Sequence, residues 1–264
     1  MISHNIYLVY EIKDRQTHSP RVTRKRRARM QRILATALDV AREEGRDALT
    51  LQRVAERLDV TPAALYRYFA SKDALVAELQ RSVIAWLAEA TVERIEAASE
   101  YAAELAPGDR ALLDVIITAL TFEHFASTAP IEFGLLSMYL STPEFALPQR
   151  EAAQVFRAAW GSLDGLAQRI ETASHHGVLS RGSASNRALA LWAGLQGAAQ
   201  THKLMRSAPD RIDPTRIALD LVRSLLVGWG AKASLVDLFA EDARSLGFTD
   251  PKGSVDDLLE AAGT

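Results

Sequence analysis

Basic side chains are concentrated near the N-terminus of this 264-residue chain. Seven of them fall within residues 21–32, and residues 1–81 carry 16 Lys and Arg against 10 Asp and Glu. The remaining residues carry 15 against 23, so the net charge of −2 conceals a basic end and an acidic body. The chemistry open to such a cluster is the binding of phosphates on a polyanion. A solvated basic tail is the other interpretation, and composition alone favours neither.

Few residues have the types and spacing that catalysis or metal binding requires. The chain has no cysteine, which excludes a disulfide framework, a Cys-ligated zinc site and a thiol nucleophile. The adjacent pair His175 and His176 points to different faces of a helix, so the two rings cannot easily orient one nucleophile. The pair also lacks the i and i+4 spacing of helical metal ligands. We therefore expect no enzyme, no metal site and no cofactor.

The N-terminal sequence does not resemble an export signal. Its apolar run is broken by Glu11 and Lys13, and no small-residue cleavage site follows. No stretch approaches the ~20 uninterrupted apolar residues of a membrane span. We expect a cytoplasmic protein with no membrane partner, whose residues 1–20 form a disordered tail.

The elements that must position these side chains are helices. Apolar residues such as Ile33, Ala37 and Val40 recur at helical spacing, and β-branched runs of period two do not appear. Thr or Asp precedes Pro at three positions, an order typical of helix N-termini. The pattern predicts an all-α fold, with helices over 24–45, 50–58, 61–69, 72–105, 109–126, 130–140, 148–176, 185–206, 213–231, 234–246 and 254–262.

Two short helices on either side of residues 58–60 form the most specific pattern. A turn this tight predicts a helix-turn-helix, whose second helix enters a DNA major groove. Pro62 and Ala63 are small enough to let the backbone approach the bases, and Tyr66 and Arg67 offer longer polar reach. The side chains expected to pack inward are Leu65, Tyr68 and Phe69.

The stretch TLQRVAERLDVTPAALYRYFASKDALVAEL closely resembles the DNA-binding signature of the TetR/AcrR family of one-component regulators. Ala55 before the turn, the Leu-Tyr-x-Tyr-Phe string from Leu65 and the Ser-Lys-Asp-x-Leu string from Ser71 all appear in register. The resemblance covers roughly residues 28–80. Asp59 is one departure, because the family often has glycine in the turn, but aspartate tolerates left-handed backbone better than most residues.

The resemblance implies an N-terminal three-helix helix-turn-helix DNA-binding domain followed by a helical ligand-binding and dimerisation domain. We place the first at 21–75 and the second at 76–232, with an acidic helical extension at 233–264. The basic segment at the start of the DNA-binding domain resembles the flexible N-terminal extension of some family members. The DNA-binding residues that we expect, from matched positions and from that segment, are Arg24, Arg27, Thr50, Arg53, Thr61, Pro62, Ala63, Tyr66, Arg67 and Lys72.

The later helices of this family enclose a small-molecule pocket and form the dimer. Segment 101–202 is rich in aromatic residues and methionine, which fits an apolar pocket, although a plain core gives the same stripe. Small residues in helix 185–206, Gly197 among them, and the apolar stripe of helix 213–231 predict a four-helix dimer bundle. The candidate ligand-binding residues are Trp86, Phe122, Phe125, Met138, Tyr139, Phe156, Trp160, Trp192 and Gln196.

These features together predict a ligand-responsive transcriptional regulator. Repression is the family default, so we expect a homodimeric repressor that a small, largely apolar effector releases from a palindromic operator in double-stranded DNA. The alternative is a DNA-binding regulator without a small-molecule effector.

Overall fold

A computed structural model describes residues 20–141, 148–205, 207–208, 210–245 and 255. Within these residues the chain forms α-helices and one 3-10 helix (η1), and it forms no strand, which confirms the all-α prediction. The helices are α1 Pro20–Glu44, η1 Arg46–Ala48, α2 Leu51–Arg57, α3 Pro62–Tyr66, α4 Lys72–Ala97, α5 Ser99–Ala102, α6 Pro107–Thr128, α7 Pro130–Ser141, α8 Gln149–His175, α9 Ala184–Gln200, α10 His202–Met205, α11 Pro214–Gly228 and α12 Ala233–Ser245.

Side-chain caps explain where several helices begin. Thr50, Ser183 and Asp213 are the N-cap residues of α2, α9 and α11, and each side-chain oxygen accepts a hydrogen bond from the N–H three residues later. Thr61 precedes Pro62 at the start of α3, as the Thr-Pro order predicts. The Thr-Pro pair at 142–143 and the predicted helix over 254–262 fall in segments outside the described range, Val255 apart.

Two predicted helices are divided in the structure and one begins too late. Two others were predicted to extend too far, because helix 61–69 ends at Tyr66 and helix 213–231 ends at Gly228. The prediction of one helix over 72–105 is wrong, because α4 ends at Ala97 and the chain turns at Ala98 into α5. Helix 185–206 is divided at Thr201, whose hydroxyl donates to the carbonyl of Ala198 at 2.6 Å and competes with the backbone. At the other end of the chain, α1 begins at Pro20, so the basic segment is helical rather than a flexible extension.

The chain divides into two compact units, and the first contains residues 20–89 and 131–159 of the described chain. In it, α1 packs against η1 and α2, and α2 packs against α3. The core residues of these helices, among them Ile33, Val54 and Leu65, are almost fully buried. This core fixes the orientation of the short helix α3, which we predict to enter a DNA groove.

The second unit contains residues 90–130 and 160–251, with the gaps noted above. Its central helix is α6, which packs against α9, α11 and α12, while α9 and α11 pack against each other. By length and composition α6 could cross a membrane, but 67% of its apolar window is buried inside the molecule. Its apolar character is therefore that of a core helix.

The C-terminal helix α12 is part of the second unit's packing. Val236, Phe239 and Ala243 are buried on one face, and the helix lies against α6 and α11. On the exposed side Arg223 donates to Asp237 at 2.7 Å. In the described part of the predicted extension 233–264, these contacts pack α12 onto the surface of α6.

Candidate nucleic-acid interface

The turn between α2 and α3 has the backbone shape that a helix-turn-helix needs. Asp59 adopts a φ of 52°, the left-handed region that aspartate tolerates. The N–H of Val60 donates to the carbonyl of Ala55 at 3.0 Å, which closes the turn. Asp59 therefore serves in the position where the resembled family often has glycine.

The outer edge of α3 is a short exposed surface held from behind by buried side chains. Leu65 is 1% exposed and Phe69 is 3% exposed, so both anchor the helix in the core. Tyr68 is half-buried. The exposed residues are Thr61, Pro62, Ala63, Tyr66 and Arg67, with Tyr66 57% exposed. The predicted groove-facing set is thus gathered on one accessible edge.

Two further predicted contacts lie at the beginnings of neighbouring helices. Thr50 is exposed and caps α2, accepting from the N–H of Arg53 at 3.1 Å. Lys72 is exposed as the first residue of α4, just after Ser71, whose hydroxyl accepts from the N–H of Ala74. Backbone N–H groups at helix N-termini also favour phosphate oxygens. Both residues occupy positions suited to contacting a DNA backbone.

Two carboxylates bind Arg53 within the N-terminal helices α1 to α3, which we call the head. Its Nε donates to Glu44 at 2.8 Å and its Nη1 donates to Glu56 at 3.1 Å. The hydrogen bond from Arg53, with its positive charge and that of Arg57, holds the pKa of Glu44 below its ordinary value despite partial desolvation. Arg57 also donates to Glu43 at 2.6 Å. A phosphate contact by Arg53 would therefore compete with these carboxylates.

The basic residues Arg24 and Arg27 lie exposed on the first turns of α1. Arg21, Lys25 and Arg32 are exposed on the same helix, which carries no acidic residue in its first turn. This places a run of positive charge on a regular helix in the same unit as α3.

A partly buried ion pair, which was not among the sequence predictions, joins α1 to α7. Glu132 is 4% exposed, and Arg42 donates to its Oε1 from Nε at 2.8 Å. Arg46, which follows Arg42 by four residues on the α1 side, donates to the carbonyl of Gly134 at 3.2 Å. The sequence could have pointed to this residue, because Glu132 is the only charged residue in the helix PIEFGLLSMYLS.

The predicted ligand-binding residues of the first unit differ in burial. Trp86 on α4 and Met138 on α7 are half-buried, while Phe156 on α8 is 53% exposed. Tyr139 belongs to α7 by its backbone, and its side chain lies outside the described part of the structure. That these side chains contact an effector stays a prediction.

In the second unit, Phe122 and Phe125 are buried on α6, with ring centroids 6.4 Å apart in an edge-to-face arrangement. Trp192 is half-buried and Gln196 is buried on α9, whereas Trp160 on α8 is 42% exposed. Their role in ligand binding likewise stays a prediction.

One pair of opposite charges lies partly inside the second unit. Burial raises the pKa of the Asp114 carboxyl, and the positive charges of Arg169 and Arg110 oppose that shift. Burial also lowers the pKa of Arg169, against the attraction of Asp114. In the described segments no three His, Asp or Glu side chains converge as metal ligands would.

Comparison with known proteins supports the interpretation of the head. Residues 33–79 match the family model of "bacterial regulatory proteins, tetR family". Relatives from Mycobacterium bovis and Mycobacterium tuberculosis, each described as an uncharacterized HTH-type transcriptional regulator, are 40% identical over 74 residues. That alignment covers 26% of this chain, and the chain spans about a third (35%) of the length of these curated relatives.

Solved structures share the fold over most of the chain. A protein of unknown function from Rhodococcus sp. RHA1 has a TM-score of 0.58 at 20% identity, covering 77% of this chain and 95% of its own. TylP, a TetR regulator from Streptomyces fradiae, has a TM-score of 0.54 at 23% identity, covering 84% and 90%. The fatty acid degradation regulator FadR from Bacillus halodurans has a TM-score of 0.53 at 15% identity, covering 82% and 100%.

The matched family consists of regulatory proteins and not of enzymes, in agreement with the lack of a catalytic constellation in the sequence. The exposed α3 edge, the closed turn at Asp59 and the matched residues 33–79 all lie in the same N-terminal segment. On these grounds, the N-terminal segment of this chain is similar, over residues 33–79, to the TetR family of bacterial regulatory proteins.

Proposed function

We propose that this chain is a cytoplasmic transcriptional regulator that binds double-stranded DNA through α3. The observation that carries the proposal is the exposed α3 edge, in which Ala63 leaves room for close approach and Tyr66 and Arg67 extend from the same short helix. Phosphate contacts from Thr50 and Lys72 would set its register on the duplex, and base contacts from α3 would set sequence preference.

The regulator would act as a homodimer. On α9 the residues Leu189, Ala193 and Gly197 lie at four-residue spacing and are exposed, as is Ile217 on the neighbouring helix α11. Apolar and small residues on the outer faces of two packed helices suit a four-helix bundle with a second copy. A two-fold dimer would place two recognition helices about 34–36 Å apart or somewhat more, and would read a near-palindromic operator.

A small, largely apolar effector would release this repressor from its operator. The support is compositional, since buried aromatic residues such as Phe122 and Phe125 dominate the predicted ligand-binding set. Such an effector must bind the DNA-free conformation more tightly than the DNA-bound one, because equal affinity shifts no equilibrium. Operator DNA must then weaken effector binding by the same factor.

The DNA proposal is tested by salt dependence with two single variants. The logarithm of the affinity for double-stranded DNA should fall linearly with the logarithm of salt concentration, by roughly 0.9 per neutralised phosphate. Lys72→Ala should weaken binding to all sequences alike and flatten that slope by about 1. Arg67→Ala should change the preference at one base pair by about 1–3 kcal/mol. Fluorescence anisotropy with selected and scrambled duplexes measures the salt slope and the base-pair preference. A complex whose affinity does not depend on salt would refute the proposal.

The effector proposal is tested by thermal shift against a metabolite library, with and without DNA selected by the protein. We expect a compound that raises the unfolding temperature of the free protein and lowers its affinity for DNA. If DNA binds tightly and repeated screens find no such compound, the alternative of a regulator without an effector is the correct one.

A further inference from the structure

We propose that Gln80 is the polar anchor of a ligand site in the first unit, and that it takes an uncharged ligand with an O–H or N–H donor on an apolar body. Gln80 on α4 is 0% exposed. Its Nε2 donates to the carbonyl of Leu135 on α7 at 2.7 Å. Its Oε1 is buried and accepts no hydrogen bond from any residue in the described ranges. This inference rests on the proposed function, because it names the chemistry of the effector.

The orientation of the Gln80 amide is fixed by the contact to Leu135. Only the NH₂ group can donate to that carbonyl, so the group left over is the acceptor oxygen. A buried acceptor without a donor loses its hydration and gains nothing in return, so native proteins rarely leave one unsatisfied. An O–H or N–H group of a bound molecule would satisfy this oxygen.

The surroundings of Gln80 are apolar and small. Ala77, Gln80 and Ile84 follow one another at i, i+3 and i+7, which places them on one face of α4. Ala77 and Ile84 form a buried cluster with Val155 of α8, with these partly buried side chains packed against it: Leu136, Ala152, Ala158 and Ala159. A ligand that contacts this cluster would meet mainly hydrocarbon.

The ligand class follows from these two features. An alcohol or an amide supplies the donor that Oε1 needs, whereas a carboxylate would set one acceptor against another. Gln80 lies eight residues after Lys72 on the same helix, about 12 Å along its axis. A molecule held there would contact the helix that begins with the predicted phosphate contact.

The test compares two isomers that differ only in the donor, 1-hexanol and methyl pentyl ether. They are titrated into the full chain labelled at Ile and Val methyl groups, and binding is followed by NMR at Ile84 and Val155. We expect 1-hexanol to bind roughly twofold to twelvefold more tightly than the ether, as one net hydrogen bond would give. In Gln80→Met the two isomers should bind equally. Gln31→Met, which replaces a half-buried glutamine of α1 whose Oε1 is also buried, should keep the preference.

Each alternative result overturns the inference. Equal binding by the wild-type chain would show that a buried water alone serves Oε1. A preference that survives Gln80→Met or disappears in Gln31→Met would place the anchor elsewhere, and so would the absence of shifts at Ile84 and Val155. The wild-type comparison decides the matter even if Gln80→Met fails to fold. Anisotropy with a random-sequence duplex in the same samples tests DNA binding separately, so its loss would count against the proposed function alone.

Discussion

Arg53 has two possible partners for its guanidinium group, the carboxylates of the head and the phosphates of DNA. Both Glu44 and Glu56 bind it in the free protein, and the same interactions raise the pKa of Arg53. Because Glu44 also binds Arg57, one carboxylate at the end of α1 holds two cations of α2. The free protein therefore keeps these charges partly neutralised.

Removing the Glu44 carboxylate should release Arg53 for DNA. We expect Glu44→Gln to raise DNA affinity and to steepen the slope of log affinity against log salt by about 0.9 for each phosphate newly contacted. Glu43→Gln is the matched control, since Glu43 binds Arg57 and not Arg53. A slope that is unchanged in both variants would mean that Arg53 does not reach a phosphate.

Tyr101 gives a second prediction for a single residue. Its hydroxyl donates to Asp242 on α12, and that bond, with some burial and the negative charge, raises the pKa of Tyr101 from 10.0 to about 12. A raised pKa means that the folded state binds the proton more tightly, so this stabilisation is complete below pH 10 and is lost as pH rises towards 12.

Phenolate absorbance measures the Tyr101 shift directly. The difference titration between the wild-type chain and Tyr101→Phe should show one phenol with a pKa near 12. In Asp242→Asn the same phenol should titrate closer to 10. If Tyr101 titrates near 10 in the wild-type chain, the bond to α12 does not persist in solution.

At the scale of elements, the attachment of α1 to α7 depends on charge buried between helices. Glu132 is almost completely buried, and its ion pair with Arg42 spans 90 residues of sequence. A carboxylate in such a site needs its partner, because a buried charge left alone keeps the full cost of desolvation. The pair therefore specifies how α7 lies against the head more than it adds net stability.

A double-mutant cycle tests this reading of the ion pair. Arg42→Met should lower the free energy of unfolding by about 1–3 kcal/mol, a value reduced because Arg42 is itself partly exposed. Arg42→Met combined with Glu132→Leu should cost less than Arg42→Met alone, since no charge is then left buried. Urea unfolding gives both values. Additive losses in the double variant would contradict the argument.

At the scale of the whole molecule, two glycines of α9 have different environments. A Cβ on Gly194 would lie 2.7 Å from Cδ2 of Leu221, so this glycine permits the close packing of α9 on α11 within the chain. A Cβ on Gly197 would meet nothing within 4 Å, on the exposed face of the same helix. Gly194 therefore serves the packing within the chain, and Gly197 lies on the face that we propose for dimer contact.

Substitutions at the two glycines should separate folding from assembly. Gly197→Leu should leave the unfolding temperature of the chain nearly unchanged but yield monomers that bind DNA poorly, because the bulky side chain overpacks the interface. Gly194→Leu is the matched control and should destabilise the fold itself by about 1–3 kcal/mol, because its side chain would displace Leu221. Light scattering and thermal unfolding give the two readouts. An intact Gly197→Leu dimer with full DNA affinity would move the interface elsewhere.

The sequence alone determined those features that depend on neighbouring residues. Helical periodicity gave the all-α class, and the Thr61-Pro62 and Asp213-Pro214 pairs marked the starts of two helices. The left-handed backbone at Asp59 was predictable because the turn needs it and aspartate tolerates it. The exposed edge of α3 followed from the spacing of Leu65 and Phe69, which must face inward.

The tertiary structure decided the features that depend on residues far apart in sequence. Whether Glu132 faces solvent or Arg42, and whether the Gln80 oxygen finds a donor, depends on how α7 packs against α1 and α4. The sequence did not predict the helix breaks at Ala98 and Thr201, because the spacing of alanines continues through both positions. Periodicity identifies the face of a helix that is buried, but only packing selects the partner it is buried against.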